Sequence, residues 1–169
     1  MVALSLVACG GTRSKSTAAE QKERQEERQE EKRVCAVQYD YRVVAEYPHA
    51  VASYTQGLQY VDGVMWEGTG QERRSHLQRI DLNTGKVDIV ASLPDSEFGE
   101  GITHYKERIY QLTWLSRVAH VYDREGKELK TIKYRGEGWG ITTDGQELYL
   151  SDGTSTIRRV DPETFDTLE

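Results

Sequence analysis

The sequence predicts an all-β fold assembled from one repeated sheet of short antiparallel strands, and three observations carry the prediction. First, residues 54–70, YTQGLQYVDGVMWEGTG, set Asp62-Gly63 between two apolar runs. Asp-Gly in that setting marks a hairpin, because the primed two-residue turns need positive φ at their centre. Second, the pattern recurs. Gly57-Leu58, Gly101-Ile102 and Gly140-Ile141 open three units, and an aromatic residue, Trp66, Tyr110 or Tyr149, follows each opening glycine by nine residues. Third, each unit has a further strand that closes on aspartate, at residues 76–81, 118–123 and 156–161, with a turn after each.

A fourth strand follows in the first two units, at residues 86–92 and 128–134. Four short antiparallel strands at a period near forty residues are the mark of propeller blades. A small β-sandwich or an open meander would not require matched offsets across three units. Propellers close with about four to eight blades. The sequence therefore predicts a partial β-propeller of about three blades, completed by a longer polypeptide or by another chain. Ahead of the first unit, Tyr39, Tyr41, Val43 and Ala45 alternate with Asp40, Arg42 and Val44, which predicts a strand ending at Pro48.

The amino end reads differently. Residues 1–9 are a short apolar run ending in Leu6-Val7-Ala8-Cys9, followed by Gly10-Gly11. This resembles a bacterial lipoprotein signal, which implies cleavage before Cys9 and acylation of its thiol. The run carries no basic residue ahead of it, and the alternative is an ordinary apolar start with a free cysteine. Residues 10–37 are a charged linker. Within them, residues 12–33 are nearly all Glu, Gln, Lys, Arg, Ser and Ala and have no apolar face to bury. Glu23, Glu27 and Glu31 alternate with Arg24, Arg28 and Lys32, so i,i+4 pairs support at most a solvated helix. The expected organisation is a signal-like segment at 1–9, a linker at 10–37 and the propeller part at 38–169.

Composition narrows the function classes. The net charge is −6, so no basic balance points to nucleic acid. Three Trp and ten Tyr outnumber two Phe, which suits half-buried sheets and wet pockets better than a dry core. Both cysteines, Cys9 and Cys35, precede the repeats, so no disulfide framework holds the domain, and Cys35 reads as a small buried residue. No HExxH-type spacing links His49, His76, His104 and His120, which read as surface or strand histidines.

Spacing also yields a site. The first strand of each blade lines a propeller's central channel, so loops entering those strands share one mouth. Gln56, Glu100 and Trp139 each directly precede an opening glycine, and the repeat brings them together. Glu67, Gln111 and Leu150 are likewise equivalent, one residue past the second-strand aromatic.

At these residues the chain resembles the plant and bacterial glutaminyl cyclases. The matching pieces run in family order: Tyr54-Thr55-Gln56-Gly57-Leu58, Glu67-Gly68-Thr69-Gly70, Phe98-Gly99-Glu100-Gly101-Ile102-Thr103, Tyr110-Gln111-Leu112-Thr113-Trp114 and Gly136-Glu137-Gly138-Trp139-Gly140-Ile141-Thr142. The resemblance implies a five-bladed propeller and a glutaminyl-peptide cyclotransferase, an acyltransferase that turns amino-terminal glutamine into pyroglutamate and releases ammonia. Further blades of that family carry an asparagine-lysine region that helps hold the reacting amide, and the 169 residues end before it.

By the same resemblance Glu67 is the proton shuttle, or else a strand-end carboxylate capping the 68–70 turn. Gln56 holds the substrate amide or amine, or caps backbone in the channel. Trp114 and Trp139 wall the pocket, and Trp66 is a wall or inter-blade packing. Glu100 binds the substrate ammonium, or lines the channel, or holds a structural cation through hard oxygen ligands. Glu137 is a weaker candidate of the same kind, and Asp81, Asp123 and Asp161 are turn formers. No metal or cofactor is expected in the chemistry, with a structural divalent cation in the channel left open. The expected partner is a peptide or protein with amino-terminal glutamine, no nucleic acid, and a membrane only through a lipid on Cys9. The expected location is the bacterial cell envelope or periplasm. The alternative function is a non-catalytic propeller module that binds a peptide terminus or a protein partner.

Overall fold

The computed structural model describes residues 37–168 and, ahead of them, Thr17, Ala19 and Lys22. The signal-like segment, Cys9, Cys35 and most of the charged linker lie outside the described residues; Ala19 and Lys22 are helical. The chain divides into two units, residues 1–44 and residues 45–169.

In the second unit eleven strands form three antiparallel sheets. The first contains β1 (Thr55–Val61), β2 (Val64–Thr69), β3 (His76–Ile80) and β4 (Val87–Ser92). The second contains β5 (Gly99–Tyr105), β6 (Arg108–Thr113), β7 (Val118–Tyr122) and β8 (Glu128–Lys133). The third contains β9 (Ile141–Thr143), β10 (Leu148–Ser151) and β11 (Ile157–Val160). Strands follow in chain order within each sheet, and a lone bridge between Val160 and Thr167 begins a fourth strand in the third. These are three propeller blades, as the repeat predicts.

Register reproduces the sequence offsets. Leu58 pairs with Glu67, Ile102 with Gln111 and Ile141 with Leu150. The β1–β2 turn has φ of 50° at Asp62 and 86° at Gly63, the double positive φ of a primed hairpin. Asp81, Asp123 and Asp161 each accept backbone N–H bonds from the turn that follows, through Oδ1, at 2.8 to 3.1 Å.

The sheets pack face to face through two apolar clusters. Trp66, Leu77, Ile102, Ile109 and Tyr122 join the first blade to the second. Tyr105, Tyr110, Leu112, Leu148, Leu150 and Val160 belong to the cluster joining the second to the third. Alternation explains the split: on β6, Ile109 faces one neighbour and Tyr110 the other.

Inner strands approach closely at the opening glycines. A Cβ on Gly101 would stand 2.8 Å from the Trp139 carbonyl oxygen and 3.0 Å from Gly140 Cα. The Gly101 N–H donates to that same carbonyl at 2.9 Å, a backbone bond between blades. Only glycine leaves room for this contact.

One predicted element is absent. Residues 37–50 form no strand, and Tyr39 and Tyr41 are exposed. The alternation there is real, but a strand exists only through ladder bonds to a partner, and none of the three sheets pairs with it.

Candidate active site

Three rows of equivalent residues build one end of the inner strands. Immediately before the opening glycines stand Gln56, Glu100 and Trp139. Three before them stand Tyr54, Phe98 and Glu137, and thirteen after them Gly70, Trp114 and Gly153. The structure brings these rows together.

Gln56 Nε2 donates to Glu100 Oε2 at 2.7 Å, a bond across forty-four residues of sequence. Burial raises the Glu100 carboxyl from its ordinary 4.5 to about 7; the Gln56 amide opposes the rise and the Glu137 charge adds to it. Trp114 and Trp139 remain 38% and 48% exposed, so both indoles face solvent at the opening. Both indole N–H groups donate to Glu137 Oε2, from Trp114 at 2.6 Å and from Trp139 at 2.9 Å. Those two bonds, Trp139's first, hold the Glu137 carboxyl below its ordinary range.

Aromatic edges complete the wall. Phe98 meets Trp114 and Tyr54 edge to face, each with ring centroids 6.0 Å apart. Phe98 lies over Gly70, where a Cβ would stand 2.6 Å from its ring. The loop carrying Phe98 is tied down by its neighbour Glu97. That carboxylate bonds buried His120 at Nε2, while Glu128 bonds Nδ1, both at 2.6 Å.

Glu67 has its own set of partners. Its side chain has no exposure, and its carboxylate accepts from Thr55 Oγ1, from Gln78 Nε2 at 2.6 Å and contacts His49 Nε2 at 3.1 Å. It sits on the face of the first blade turned away from the second, since Trp66 and Gly68 on either side of it meet His104 and Ile102. No hydrogen bond among the described residues joins Glu67 to Glu100, Glu137 or either mouth indole. The link is through the chain: Thr55 reaches Glu67 and the next residue, Gln56, reaches Glu100. A cleft of about 240 Å³ lined by Ser53, Tyr54, Gly70 and Gln78 runs beside the Glu67 shell.

Trp66 is not a pocket wall. It is 4% exposed, with its ring 5.1 Å from that of His104 and 5.6 Å from the Arg79 guanidinium carbon. Two successive strand residues point to opposite faces, so Trp66 and Glu67 do not share a cavity. His49 is exposed, as expected of a surface histidine, and its ring also contacts the Glu67 carboxylate. Sequence reasoning gave Glu137 little weight. Its position three before an opening glycine, where the other units carry Tyr54 and Phe98, was the available signal. Among the described residues, no group of three or more His, Cys, Asp or Glu side chains is arranged to hold a metal ion.

Three fanned sheets define a propeller, with polar and indole side chains gathered at the inner-strand ends. Residues 12–169 match the family model described as glutamine cyclotransferase, and the chain belongs to that family. It is 43% identical over 126 residues to the glutaminyl-peptide cyclotransferase of Arabidopsis thaliana, covering 73% of this chain and 39% of that protein. It is similar in structure to the glutaminyl cyclase of Myxococcus xanthus, with a TM-score of 0.66 and 28% identity over 76% of this chain and 54% of that one. A likeness to the hydrazine synthase of Kuenenia stuttgartiensis, at TM-score 0.54 and 18% identity over 76% of this chain and 38% of that one, reflects the fold alone. The chain spans less than half the length of the curated relative it matches.

Proposed function

We propose that this chain supplies part of a glutaminyl-peptide cyclotransferase site that converts amino-terminal glutamine to pyroglutamate. The supporting observation is the mouth itself: an amide and a carboxylate, Gln56 and Glu100, bonded across two blades beside two exposed indoles, in a chain of this family. In the reaction the α-amine nitrogen attacks the side-chain amide carbon. A new C–N bond forms, the bond to the amide nitrogen breaks, and ammonia leaves. The amine must lose a proton and the leaving nitrogen must gain one, so one positioned carboxylate serves both transfers. The substrate must also curl on itself, and indole walls favour that by orientation. This chemistry requires no cofactor or metal, and chelation is expected to leave turnover unchanged.

In this proposal Glu67 is the proton shuttle, Gln56 and Glu100 hold the substrate amide and ammonium, and Trp114 and Trp139 flank the folded side chain. The role requires His49 to move aside, since the Glu67 carboxylate is fully buried. A second assignment exchanges the carboxylates. Glu100, raised to about 7, already matches the ionisation that a proton acceptor needs near neutral pH, and it stands at the open mouth.

Ammonia release from a glutamine-initiated peptide distinguishes the two. Loss of a positioned acid–base group lowers turnover by about 10²- to 10⁴-fold. Under the first assignment Glu67→Gln shows that loss with peptide binding retained; under the second Glu100→Gln shows it. Peptide binding without ammonia release from any form would leave a binding module instead. We further propose that the protein resides in the bacterial cell envelope, tethered by a lipid on Cys9 and the charged linker.

A further inference from the structure

The repeat breaks at one place in the mouth. At three residues before the opening glycine, two blades carry aromatics, Tyr54 and Phe98, and the third carries Glu137. At thirteen residues after, two blades carry glycines, Gly70 and Gly153, and the second carries Trp114. The two departures meet. Phe98 of one blade lies over Gly70 of the blade before it, and Glu137 reaches Trp114 by the same relation. Meanwhile Gly153 lies under the six-membered ring of Trp139, where a Cβ would stand 2.6 Å away. Each exposed indole is therefore held from two sides: Trp139 by Gly153 and Glu137, Trp114 by Phe98 and Glu137.

Both indole bonds end on one oxygen, Oε2, at 2.6 and 2.9 Å. Two donors on a single ionised oxygen fix the separation of their rings more tightly than two independent bonds would. Indoles this exposed otherwise swing about two side-chain torsions. We propose that Glu137 is a positioning residue that sets Trp114 and Trp139 as a fixed pair of walls, spaced for the flat side-chain amide of an amino-terminal glutamine. The substrate part of this assignment rests on the cyclotransferase reading; the coupling of the two indoles does not. Glu137 touches no reacting atom. Its contribution appears in how readily the cleft accepts peptide.

These 169 residues hold three tryptophans, hence three indole N–H signals from this part of the protein in a ¹⁵N–¹H spectrum. Trp114→Phe and Trp139→Phe assign two of them, and the buried Trp66 signal reports that the sheets are folded. In Glu137→Ala the Trp114 and Trp139 signals should both shift and exchange with solvent at least about tenfold faster, with the Trp66 signal unmoved. Glu137→Gln keeps an acceptor oxygen at the same reach and should restore both signals towards their original positions. With a glutaminyl dipeptide amide as the probe, Glu137→Ala should raise KM by about tenfold with kcat within about threefold, the split expected when uniform binding is lost. Glu137→Gln should recover most of that KM. Should Glu137→Ala not fold, Glu137→Asp, too short to reach both indoles, takes its place. Unchanged indole signals in the folded alanine or aspartate variant would overturn the proposal. Shifted signals in a protein without ammonia release would keep the clamp and remove the cyclotransferase reading.

Discussion

Desolvation at the mouth makes folded Glu100 hold its proton more tightly than the unfolded chain does, with a carboxyl near 7 against an ordinary 4.5. Below about 4.5 both states are protonated and burial carries no ionic penalty; above about 7 the penalty is complete, so this residue lowers stability as pH rises between them. His104 acts in the opposite sense. Burial first, and Arg124 second, lower it from 6.5 to about 4, so it favours the folded state increasingly as pH climbs through that range. A melting curve of the unaltered protein mixes the two, and Glu100→Gln separates them. The Tm advantage of the variant should widen from acidic pH to about pH 8; an advantage that stays constant across that range would mean Glu100 ionises normally. At this scale the sequence was legible wherever equivalence within the repeat decided position. Gln56, Glu100 and Trp139 met as their shared place before glycine required. Of the two readings of Trp66, wall or inter-blade packing, the structure shows the packing, and the two-residue period of a strand already sets it opposite Glu67. The bond from Trp114 to Glu137 was not legible, because the two meet only through the stacking of two sheets.

Hairpins and inner strands place glycine under two different constraints. Gly63 needs φ of 86° and has open space around it, whereas Gly101 needs no unusual φ and has backbone of the next blade where a Cβ would be. Gly63→Ala should cost about 1 kcal/mol, the strain of a positive φ on an L side chain. Gly101→Ala should cost about 2 to 3 kcal/mol by overpacking, because a carbonyl and a Cα cannot rotate out of the way. Urea unfolding of the two variants measures the difference, and equal losses would show that the inner strands are less tightly apposed than described. Strand positions were readable because hairpin turns and alternation are local. The strand expected to end at Pro48 was not, since alternation supplies a face and pairing depends on what lies alongside.

Among the described residues the middle sheet is covered on both sides by its neighbours. Ile102 and Ile141, each packed on the preceding blade, are 5% and 9% exposed, whereas Leu58 at the matching place in the first blade is 54% exposed. The repeat count was visible in the sequence, but which faces would be covered followed only from the order of stacking. The anchoring proposal belongs to this scale too. Chains made in bacteria fed an alkyne fatty acid should carry the label and fractionate with membranes, and Cys9→Ser should abolish both; label retained in Cys9→Ser would refute the anchor.

The backbone bond from Gly101 to the Trp139 carbonyl places the pivot of two blades at the mouth. Strands spaced about 4.8 Å apart put the outer edge of a four-stranded sheet some 14 Å from that pivot. A blade that rocks about its hub therefore moves far at the circumference and little at the axis. Substitutions, thermal motion or a neighbour pressing on β4 or β8 are geared down before they reach Glu100 and the paired indoles.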